Sequence, residues 1–443
     1  MAHLLAATVP LTGHVHPMLL VVEALVRAGH QVTWYAAATF APAIARTGAT
    51  FAPMIHAPDW DDADVDAALP ALRGRRGIAR VKAELREMFI HPAAAQLRDL
   101  TALADAVHPD AVLADSAHLG AALLAEARGL PWVGLGISAL MLPSRDTAPF
   151  GPGWAPVPGL VGRVRNRVMN RLVHRVMFAD INRAYRAKRA EAGLPPGAGT
   201  YFDVVSPDLY LQPTVPAFEY PRADLPAQVH FIGPLVPRPP SPADALPAWW
   251  PEVEAARTRG TPIVLVTQGT LATDPRELLA PAARALADEP VLVIATTGRA
   301  GDGTLGLPAA PANLRTARFV PYGALLPHVA AIVTNGGYGG VQMALRHGVP
   351  LVVAGGSEEK PEIAARVAWA GVGLDLHTGR PRPPVIRRAV RRVLDEPAFR
   401  ARAADLAAAM AAHDAPAEAA ALIEALVRTR RPVVRGALAA ALA

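Results

Sequence analysis

Two histidines in a short glycine-containing segment are the first residues of this sequence that could perform acid–base chemistry. His14 and His16 follow an apolar run, His3–Val9, that is typical of a buried strand. A neutral imidazole at the carboxyl end of such a strand can remove a proton from a hydroxyl group near pH 7. We predict that His14 is this base. A competing role for His16, and a loop histidine bonded only to backbone groups, are the alternatives that the pattern leaves open.

Asp115 is the carboxylate best placed to orient such a base. It directly follows a second apolar run, Ala111–Ala114, and in a parallel sheet it would share the carboxyl edge with His14. A carboxylate bonded to an imidazole fixes its tautomer and stabilises the imidazolium. The same residue could instead cap the following helix. We predict a His14–Asp115 dyad, with capping as the alternative.

The second half of the chain is organised around a glycine-rich turn, Asn335–Gly340, which contains four glycines. An apolar run, Val329–Val333, precedes it, and residues 341–347 have helical potential. Uncovered N–H groups just before a helix suit an anionic group, because the helix dipole points at the same place. A tight turn that needs glycine only for its backbone angles is the alternative. The segment matches neither the dinucleotide fingerprint nor the P-loop.

Alternating strand and helix patterns indicate the elements that must position these residues. A loop is predicted over Pro10–Pro17 and a helix over Met18–Ala28. Strands that alternate with helices favour parallel sheets covered on both faces, so the fold class is α/β with two doubly wound, Rossmann-like domains. The other predicted strands are Gln31–Ala36, Ala111–Leu113, Pro131–Leu135, Ile263–Thr267, Val291–Thr296, Val329–Val333 and Leu351–Ala354.

A chain of 443 residues is too long for one ordinary core, so two domains are expected. Residues 1–232 form the first predicted domain and residues 261–425 the second. Between them, residues 233–260 are rich in proline and predict a linker, which Trp249 and Trp250 could pin to a surface. Residues 426–443 are predicted to be a C-terminal extension that is frayed from Arg428 onwards. Ligands of such sheets bind at the carboxyl ends of the strands, which can face each other across a cleft between two domains.

Composition excludes several classes of function. There are no cysteines, hence no disulfides and no thiolate zinc site. The net charge is +6, but aromatic residues are only 5% and show no interleaving with basic ones, which argues against nucleic-acid binding. No apolar run approaches the roughly 20 residues of a membrane span, and the first residues lack the basic region of a signal peptide. We expect a cytoplasmic protein.

Two charged segments each have two interpretations. Residues 161–190 carry nine basic residues against one acid and repeat apolar residues every four positions, which predicts an amphipathic basic helix. It could cover a core or dock at an anionic membrane surface. The acidic cluster Asp59–Asp66 lacks the glycine and the terminal glutamate of a calcium loop. We interpret it as a solvated loop and predict no metal site.

Four motifs together resemble bacterial nucleotide-sugar-dependent glycosyltransferases of the GT-B fold, which glycosylate macrolides, flavonoids and other natural products. The resemblance extends from about residue 3 to about residue 425. The motifs are Gly13-His-Val-His-Pro17, Asp115 before Gly129-Leu-Pro131, Phe319-Val-Pro321, and Asn335–Gly340 followed by Gly348-Val-Pro350.

The resemblance implies an acceptor-binding first domain and a second domain that binds the nucleotide sugar. His14 would be the base that deprotonates the acceptor hydroxyl, and Asp115 its partner. The reaction would be a single displacement with inversion, in which backbone amides stabilise the leaving group without a metal or cofactor. The implied donor-binding residues are Phe319 and Val320 at the nucleobase, Thr270, Asn335, Gly336, Gly337, Gly339 and Gly340 at the diphosphate, and Glu359 and Lys360 at the sugar.

Three positions depart from the family pattern. Asn335 stands where a histidine is common, Gly340 where a serine or threonine is common, and Lys360 where glutamine is usual. The first two remove side-chain contacts to phosphate, so backbone amides should hold it. The lysine could favour an acidic sugar or bond to ring hydroxyls.

The expected partners are therefore a nucleotide sugar, with UDP-glucose favoured over a dTDP-deoxysugar, and a small hydrophobic acceptor. The chain would be a monomer or dimer. The alternatives are a GT-B scaffold that binds a nucleotide sugar without catalysis, and a nucleotide-sugar epimerase of the same fold.

Overall fold

A computed structural model of the chain describes residues 1–197, 199–236, 246–269, 274–298 and 305–436. Within these residues, thirteen strands form two sheets in which all neighbouring strands are parallel. The strands are β1 His3–Ala7, β2 Gln31–Ala36, β3 Thr50–Pro53, β4 Ala111–Asp115, β5 Trp132–Leu135, β6 Leu209–Gln212, β7 Val229–Phe231, β8 Ile263–Thr267, β9 Leu292–Thr296, β10 Leu314–Ala317, β11 Val329–Thr334, β12 Leu351–Val353 and β13 Gly373–Asp375.

Sixteen α-helices in the described residues connect and flank these strands. None of them is long and apolar enough to cross a membrane. The helices are α1 Thr12–Arg27, α2 Ala41–Arg46, α3 Val65–Ala68, α4 Gly77–Glu84, α5 Ala93–Val107, α6 Leu119–Arg128, α7 Gly159–Leu172, α8 Ala179–Glu191, α9 Trp250–Arg259, α10 Leu279–Leu286, α11 Tyr322–Leu325, α12 Tyr338–Arg346, α13 Lys360–Trp369, α14 Pro383–Asp395, α15 Pro397–Ala411 and α16 Ala415–Thr429.

The strand orders show that both sheets are doubly wound. The first sheet has the order β3-β2-β1-β4-β5-β6-β7 and the second has β10-β9-β8-β11-β12-β13. In each sheet the order reverses between two central strands, β1 and β4 or β8 and β11, and a crevice opens at their carboxyl ends. The predicted α/β class with two Rossmann-like domains is confirmed.

The strands read as continuous apolar runs because helices cover both faces of each sheet. Leu4, Leu5, Val112 and Leu113 are fully buried in the first core, and Val264 and Leu265 are fully buried on opposite faces of the second sheet. These cores hold the strand ends, where the candidate site lies, on a rigid frame.

Helix α1 begins earlier than the sequence predicts. The predicted loop Pro10–Pro17 is wrong over most of its length, because the helix starts at Thr12 and includes His14 in its first turn. Asp62 supplies the reason: its carboxylate accepts hydrogen bonds from the backbone N–H of Thr12 (2.6 Å) and from the Thr12 hydroxyl (3.0 Å). A cap that comes from 50 residues away satisfies the start of the helix, and no local pattern reveals it.

Part of the predicted linker is a helix that packs on the second domain. Helix α9 lies within residues 233–260, and its Val253 and Ala256 are buried with residues of β8. The indole N–H of Trp249 donates to the carbonyl of Thr316 (3.0 Å). The proline content therefore indicated a boundary but hid a helix, because proline is well tolerated in a first turn.

The C-terminal helix α16 packs on the first domain, although the predicted division counts most of it with the second. Its Ala419, Leu422 and Leu426 are buried in the first core, and Glu424 bonds to His30 at 3.0 Å. The chain thus crosses back over the domain boundary at its end. An amphipathic pattern fixes which face of α16 is buried but not which sheet receives it.

The predicted fraying from Arg428 onwards is wrong for the residues described up to 436. The backbone N–H of Val433 donates to the carbonyl of Asp208, and that of Arg435 donates to Ala227, both at 2.8 Å. The Arg435 guanidinium also donates to the carbonyl of Val229 at 3.0 Å. These long-range bonds tie the segment to the edge of the first sheet.

A buried ion-pair network joins the two domains. Arg366 of α13 donates from Nε to Glu219 of the first domain and from Nη1 to Glu362, both at 2.9 Å. Glu362 Oε1 in turn accepts the backbone N–H groups of Gly151 and Gly153 at 2.8 Å each. All three charged side chains are almost completely buried. The network holds α13 against the first domain.

We expect Arg366→Met to lower the free energy of unfolding by about 3–5 kcal/mol, because the buried Glu362 loses its cation and the buried Glu219 keeps only Arg222, at 3.5 Å. Denaturant titration of the full chain measures this. The matched control is Arg392→Met on α14, whose pair with Glu396 is exposed and should matter by about 1 kcal/mol or less. Equal losses in the two variants would contradict the structural role of the network.

Candidate active site

The structure brings the predicted dyad together. Nδ1 of His14 lies 3.0 Å from Oδ1 of Asp115. His14 is in the first turn of α1, which follows β1, and Asp115 ends β4. The two strands pair in register, with Ala7 opposite Ala114, so both residues lie at the same carboxyl edge. Phe89 stacks on the imidazole with ring centroids 6.0 Å apart.

Asp115 is a completely buried carboxylate that the protein keeps ionised. Oδ2 accepts the backbone N–H of Val9 and Oδ1 that of Ala117, both at 2.8 Å. Burial alone would raise the pKa of Asp115, but the charge and hydrogen bond of His14 and these backbone groups lower it below its ordinary value. An ionised carboxylate can only accept, so Nδ1 of His14 donates to it and Nε2 is left as a proton acceptor.

The alternative role of Asp115, as the cap of the following helix, belongs mainly to another residue. The N-cap of α6 is His118, whose Nδ1 accepts the backbone N–H of Ala121 at 3.1 Å. His118 is buried, and burial lowers its pKa to about 4, against the opposing charge of Asp115. It is therefore neutral at pH 7. Sequence reasoning missed this residue, since nothing in its local pattern distinguishes it.

His16 is exposed on α1, whereas His14 is buried against Asp115. The acidic cluster near these residues is structural: Asp62 caps α1, and Asp64 accepts the backbone N–H of Ala67 in α3 at 2.9 Å. Among the described residues, no group of three or more histidine and acidic side chains could hold a metal ion.

The glycine-rich turn lies where predicted, between β11 and α12, but α12 already starts at Tyr338. Gly336 has φ +89°, and a Cβ there would lie 2.8 Å from Val353 Cγ1, so the turn itself requires glycine. A Cβ on Gly337, Gly339 or Gly340 would meet nothing within 4 Å. Only Gly336 is therefore explained by the turn alone, and the other three leave the start of α12 open.

Asn335 connects the two central strands of the second sheet. Its Nδ2 donates to the carbonyl of Gln268, which follows β8. Its buried Oδ1 has no hydrogen-bond partner among the described residues. An unsatisfied buried acceptor is costly unless a ligand or water completes it. Asn335, which stands where the family commonly has a histidine, thus leaves its Oδ1 as an acceptor at the carboxyl ends of β8 and β11.

A cavity of about 320 Å³ lies at the carboxyl ends of β8, β11, β12 and β13. Two of its residues, Asn335 and Lys360, were expected at a donor site from sequence. Arg380, held by Glu277 at 2.6 Å, was not. The lining residues are Gln268, Glu277, Leu278, Asn335, Ala354, Gly356, Ser357, Lys360, Thr378, Gly379 and Arg380.

The lysine in this cavity is paired within its own loop. Lys360 Nζ lies 2.5 Å from Glu358 Oε2. Burial opposes the charge of Lys360, but Glu358 and Glu359 outweigh it and raise the pKa of the lysine. Glu359 is half-buried, and its pKa is raised first by burial and then by the Glu358 charge. The positive charge of Lys360 is therefore paired with the negative charge of Glu358, and the lysine is not a free cation.

The two halves of the site are within electrostatic reach of each other. His14 in the first domain lowers the pKa of Glu359 in the second, although burial and Glu358 dominate it. Burial is the main cause that raises the pKa of Glu84 at the end of α4. Across the cleft, the charge of Glu358 also raises this pKa and that of Lys360 lowers it. The dyad and the acidic loop thus face each other.

Two further predicted donor residues, Phe319 and Val320, follow β10. Phe319 is exposed, with 62% of its surface accessible, and Val320 is buried in the second core. An exposed aromatic ring beside buried backbone is a surface on which a planar base can stack. Thr270 lies outside the described residues.

Two doubly wound domains that face each other, with the His14–Asp115 pair on one and the glycine-rich turn on the other, have the architecture of glycosyltransferases of the GT-B fold. The solved structure of the glycosyltransferase VinC in complex with DTDP is 27% identical, with a TM-score of 0.68 over 96% of this chain and 99% of that one. A family model described as the erythromycin biosynthesis protein CIII-like C-terminal domain matches residues 278–426.

Two relatives extend the similarity over nearly the whole chain. The 4'-demethylrebeccamycin synthase of Lentzea aerocolonigenes is 47% identical over 429 residues, which are 96% of this chain and 100% of that protein. UDP-glucosyltransferase 1 of Beauveria bassiana (strain ARSEF 2860) is 32% identical over 428 residues, or 91% and 90%. The chain therefore belongs to the erythromycin CIII-like glycosyltransferases of natural-product biosynthesis.

We expect the buried His118 to make the fold sensitive to acid. Its pKa is about 4 when folded and 6.5 when unfolded, so between these values only the unfolded chain takes up the proton. The contribution of His118 to the free energy of unfolding is therefore fully present above pH 6.5. As the pH falls towards 4, this contribution decreases by up to about 1.4 kcal/mol per pH unit.

His118→Asn tests this, because asparagine retains a cap acceptor but does not titrate. Denaturant unfolding at several pH values should show a shallower loss of stability below pH 6.5 in the variant. His16→Asn, which replaces an exposed histidine, is the control and should follow the unmodified protein. Parallel curves for His118→Asn and the unmodified chain would disprove the assignment.

Proposed function

We propose that this glycosyltransferase moves a sugar from a nucleotide sugar to a hydroxyl group of a small hydrophobic acceptor, with inversion at the anomeric carbon. The observation that carries this proposal is the 3.0 Å bond between His14 and the buried Asp115. In the neutral imidazole, this bond leaves the His14 Nε2 as a proton acceptor at the carboxyl edge of the first sheet.

In the proposed step, His14 Nε2 takes the proton from the acceptor hydroxyl. The acceptor oxygen forms a bond to the anomeric carbon while the bond from that carbon to the nucleoside diphosphate breaks on the opposite side. The imidazolium that forms is stabilised by the ionised Asp115. Fixed charge in a buried site is effective here because it needs little reorganisation during the reaction.

Backbone N–H groups are the proposed site for the diphosphate. Three glycines with open space, Gly337, Gly339 and Gly340, surround the start of α12, and the helix dipole favours negative charge there. The leaving group would gain charge as its bond breaks, so these amides would stabilise it most in the transition state. No metal is proposed for this step.

The donor sugar is proposed to lie in the cavity next to Glu359 and Lys360. Because Lys360 is paired with Glu358, we infer that it bonds to neutral hydroxyls and does not select an acidic sugar. UDP-glucose remains the favoured donor and a dTDP-deoxysugar the second. The name of the Beauveria relative supports the first, and the DTDP bound to VinC supports the second.

The acceptor is proposed to lie on the first-domain side of the cleft. Phe89, in a π-helical turn over Leu85–Ile90, stacks on His14 and offers an apolar surface beside the base. Such turns occur often at functional sites. A hydrophobic acceptor with a hydroxyl at its edge would satisfy both residues.

We expect His14→Ala to lower kcat for transfer by about 10²–10⁴-fold, since it removes general base catalysis. Transfer from UDP-glucose to a panel of phenolic and macrolide acceptors measures this, and calorimetry should show unchanged UDP affinity. His16→Ala is the control and should retain full activity. Undiminished turnover in His14→Ala would refute the assignment of the base.

Donor consumption without any acceptor would favour the epimerase, and binding without turnover would favour the scaffold.

The backbone site is tested by Gly339→Ala. Alanine is the better helix former, so the free protein should be as stable as before or more stable by up to about 1 kcal/mol. The added methyl group would occupy the open space beside the amides and should weaken UDP or dTDP binding by about tenfold or more. Melting temperatures with and without each nucleotide measure both effects. Unchanged affinity would place the diphosphate elsewhere.

A further inference from the structure

Helix α7 and the π-helical turn after it, Val173–Met177, turn apolar side chains away from the protein. Val164, Val168, Leu172 and Val176, here called the apolar row, recur every four residues and are 56–67% exposed. The sequence left open whether this pattern covers a core. The structure shows that these four side chains do not.

The opposite face of the helix, which packs on the protein, is polar or small. Asn166 is buried, and its Nδ2 donates to the carbonyl of Arg145 at 3.2 Å. Asn170 donates to the carbonyl of Thr147 at the same distance. Asparagine is a poor choice for a packing face and valine a poor choice for a solvated one. The inverted pattern indicates that the apolar row serves an external contact.

A row of arginines runs beside the apolar row, one position earlier in each repeat. Arg163 pairs with Asp146 at 2.8 Å. Arg167, Arg171 and Arg175 are exposed and make no ion pair with any described residue. Parallel rows of apolar and cationic side chains on one helix surface match an interface of lipid tails and anionic headgroups.

The loop before α7 extends this surface to the cleft. Trp154 in this loop is 48% exposed, and Leu160 and Val161 in the first turn of α7 are more than three-quarters exposed. The same loop is fixed to the second domain, because Gly153 bonds to Glu362 and approaches Pro361 so closely that a Cβ would lie 2.4 Å from its carbonyl oxygen. Lys360, at the start of α13, lines the donor cavity. The exposed surface is therefore continuous with a loop that contacts α13, the helix whose first residue lines the donor cavity.

We propose that the apolar row, the arginine row and Trp154 dock this protein on an anionic membrane surface. A second copy of the chain is a poorer occupant, since a symmetric contact through this face would bring the two arginine rows together. A tryptophan at the rim suits the headgroup region. Docking in this orientation places the cleft beside the bilayer, where hydrophobic compounds accumulate. The inference does not depend on glycosyl transfer.

The test is co-sedimentation of the full chain with vesicles of phosphatidylcholine alone or with about one third phosphatidylglycerol, at low ionic strength. We expect binding only to the anionic vesicles, and about tenfold or weaker binding for Arg167→Gln/Arg171→Gln/Arg175→Gln and for Val164→Ser/Val168→Ser/Leu172→Ser. All the substituted side chains are exposed, and unchanged melting temperatures will verify folding.

The matched control removes the same charge from the second domain in Arg388→Gln/Arg392→Gln/Arg402→Gln and should bind like the unmodified chain. Equal losses in the two arginine variants would show that binding follows net charge alone and would overturn the proposal. So would a lack of binding to anionic vesicles. Light scattering tests the alternative occupant. A dimer that dissociates in Val164→Ser/Val168→Ser/Leu172→Ser would assign the surface to a second copy instead.

Discussion

The relative position of the two domains depends on a few buried polar contacts at the start of α12 and α13. Arg366 and Glu362 of α13 bond to Glu219 and to the backbone of residues 151–153. The Tyr338 hydroxyl at the start of α12 accepts a bond from Gln212 at 3.0 Å. These are the two helices whose N-terminal ends face the candidate donor site. Proton transfer and bond formation between groups on separate domains require ångström-level placement, and directional polar contacts provide this better than apolar packing does.

The two domains contribute different charged and polar groups to the cleft. The first domain holds an ionised Asp115 and a neutral His118 in complete burial: His14 and backbone N–H groups stabilise the charge of Asp115 against desolvation, whereas desolvation keeps His118 neutral. The second domain offers uncovered backbone at Gly337, Gly339 and Gly340, and a lysine already paired with Glu358. The departures from the family pattern at Asn335 and Gly340 therefore shift the proposed phosphate contacts from side chains to the backbone. Such contacts depend on the path of the chain more than on residue identity.

Helix α7 adds a surface that neither the fold nor the active site requires. The residues that it buries are Gly162 and Asn166, whereas the apolar row and the arginine row are both exposed, which differs from a helix that covers a core. The loop that precedes it is also bonded to Glu362, so this surface and the donor-side helices are mechanically connected. In a protein proposed to act on hydrophobic acceptors, such a connection would bring the cleft close to the place where those acceptors are most concentrated.

The sequence by itself determined the two parallel sheets, the sheet edge that His14 and Asp115 share, and the glycine turn before α12, because these follow from local apolar runs and turn chemistry. Only the tertiary structure decided the features that depend on distant partners. Asp62 caps α1 from 50 residues away, α16 returns to the first domain, and Arg366 meets Glu219 across the cleft. His118 and the outward face of α7 belong to the same group: helical periodicity reveals that a face is apolar, but what lies opposite that face is set by the packing of elements far apart in the chain.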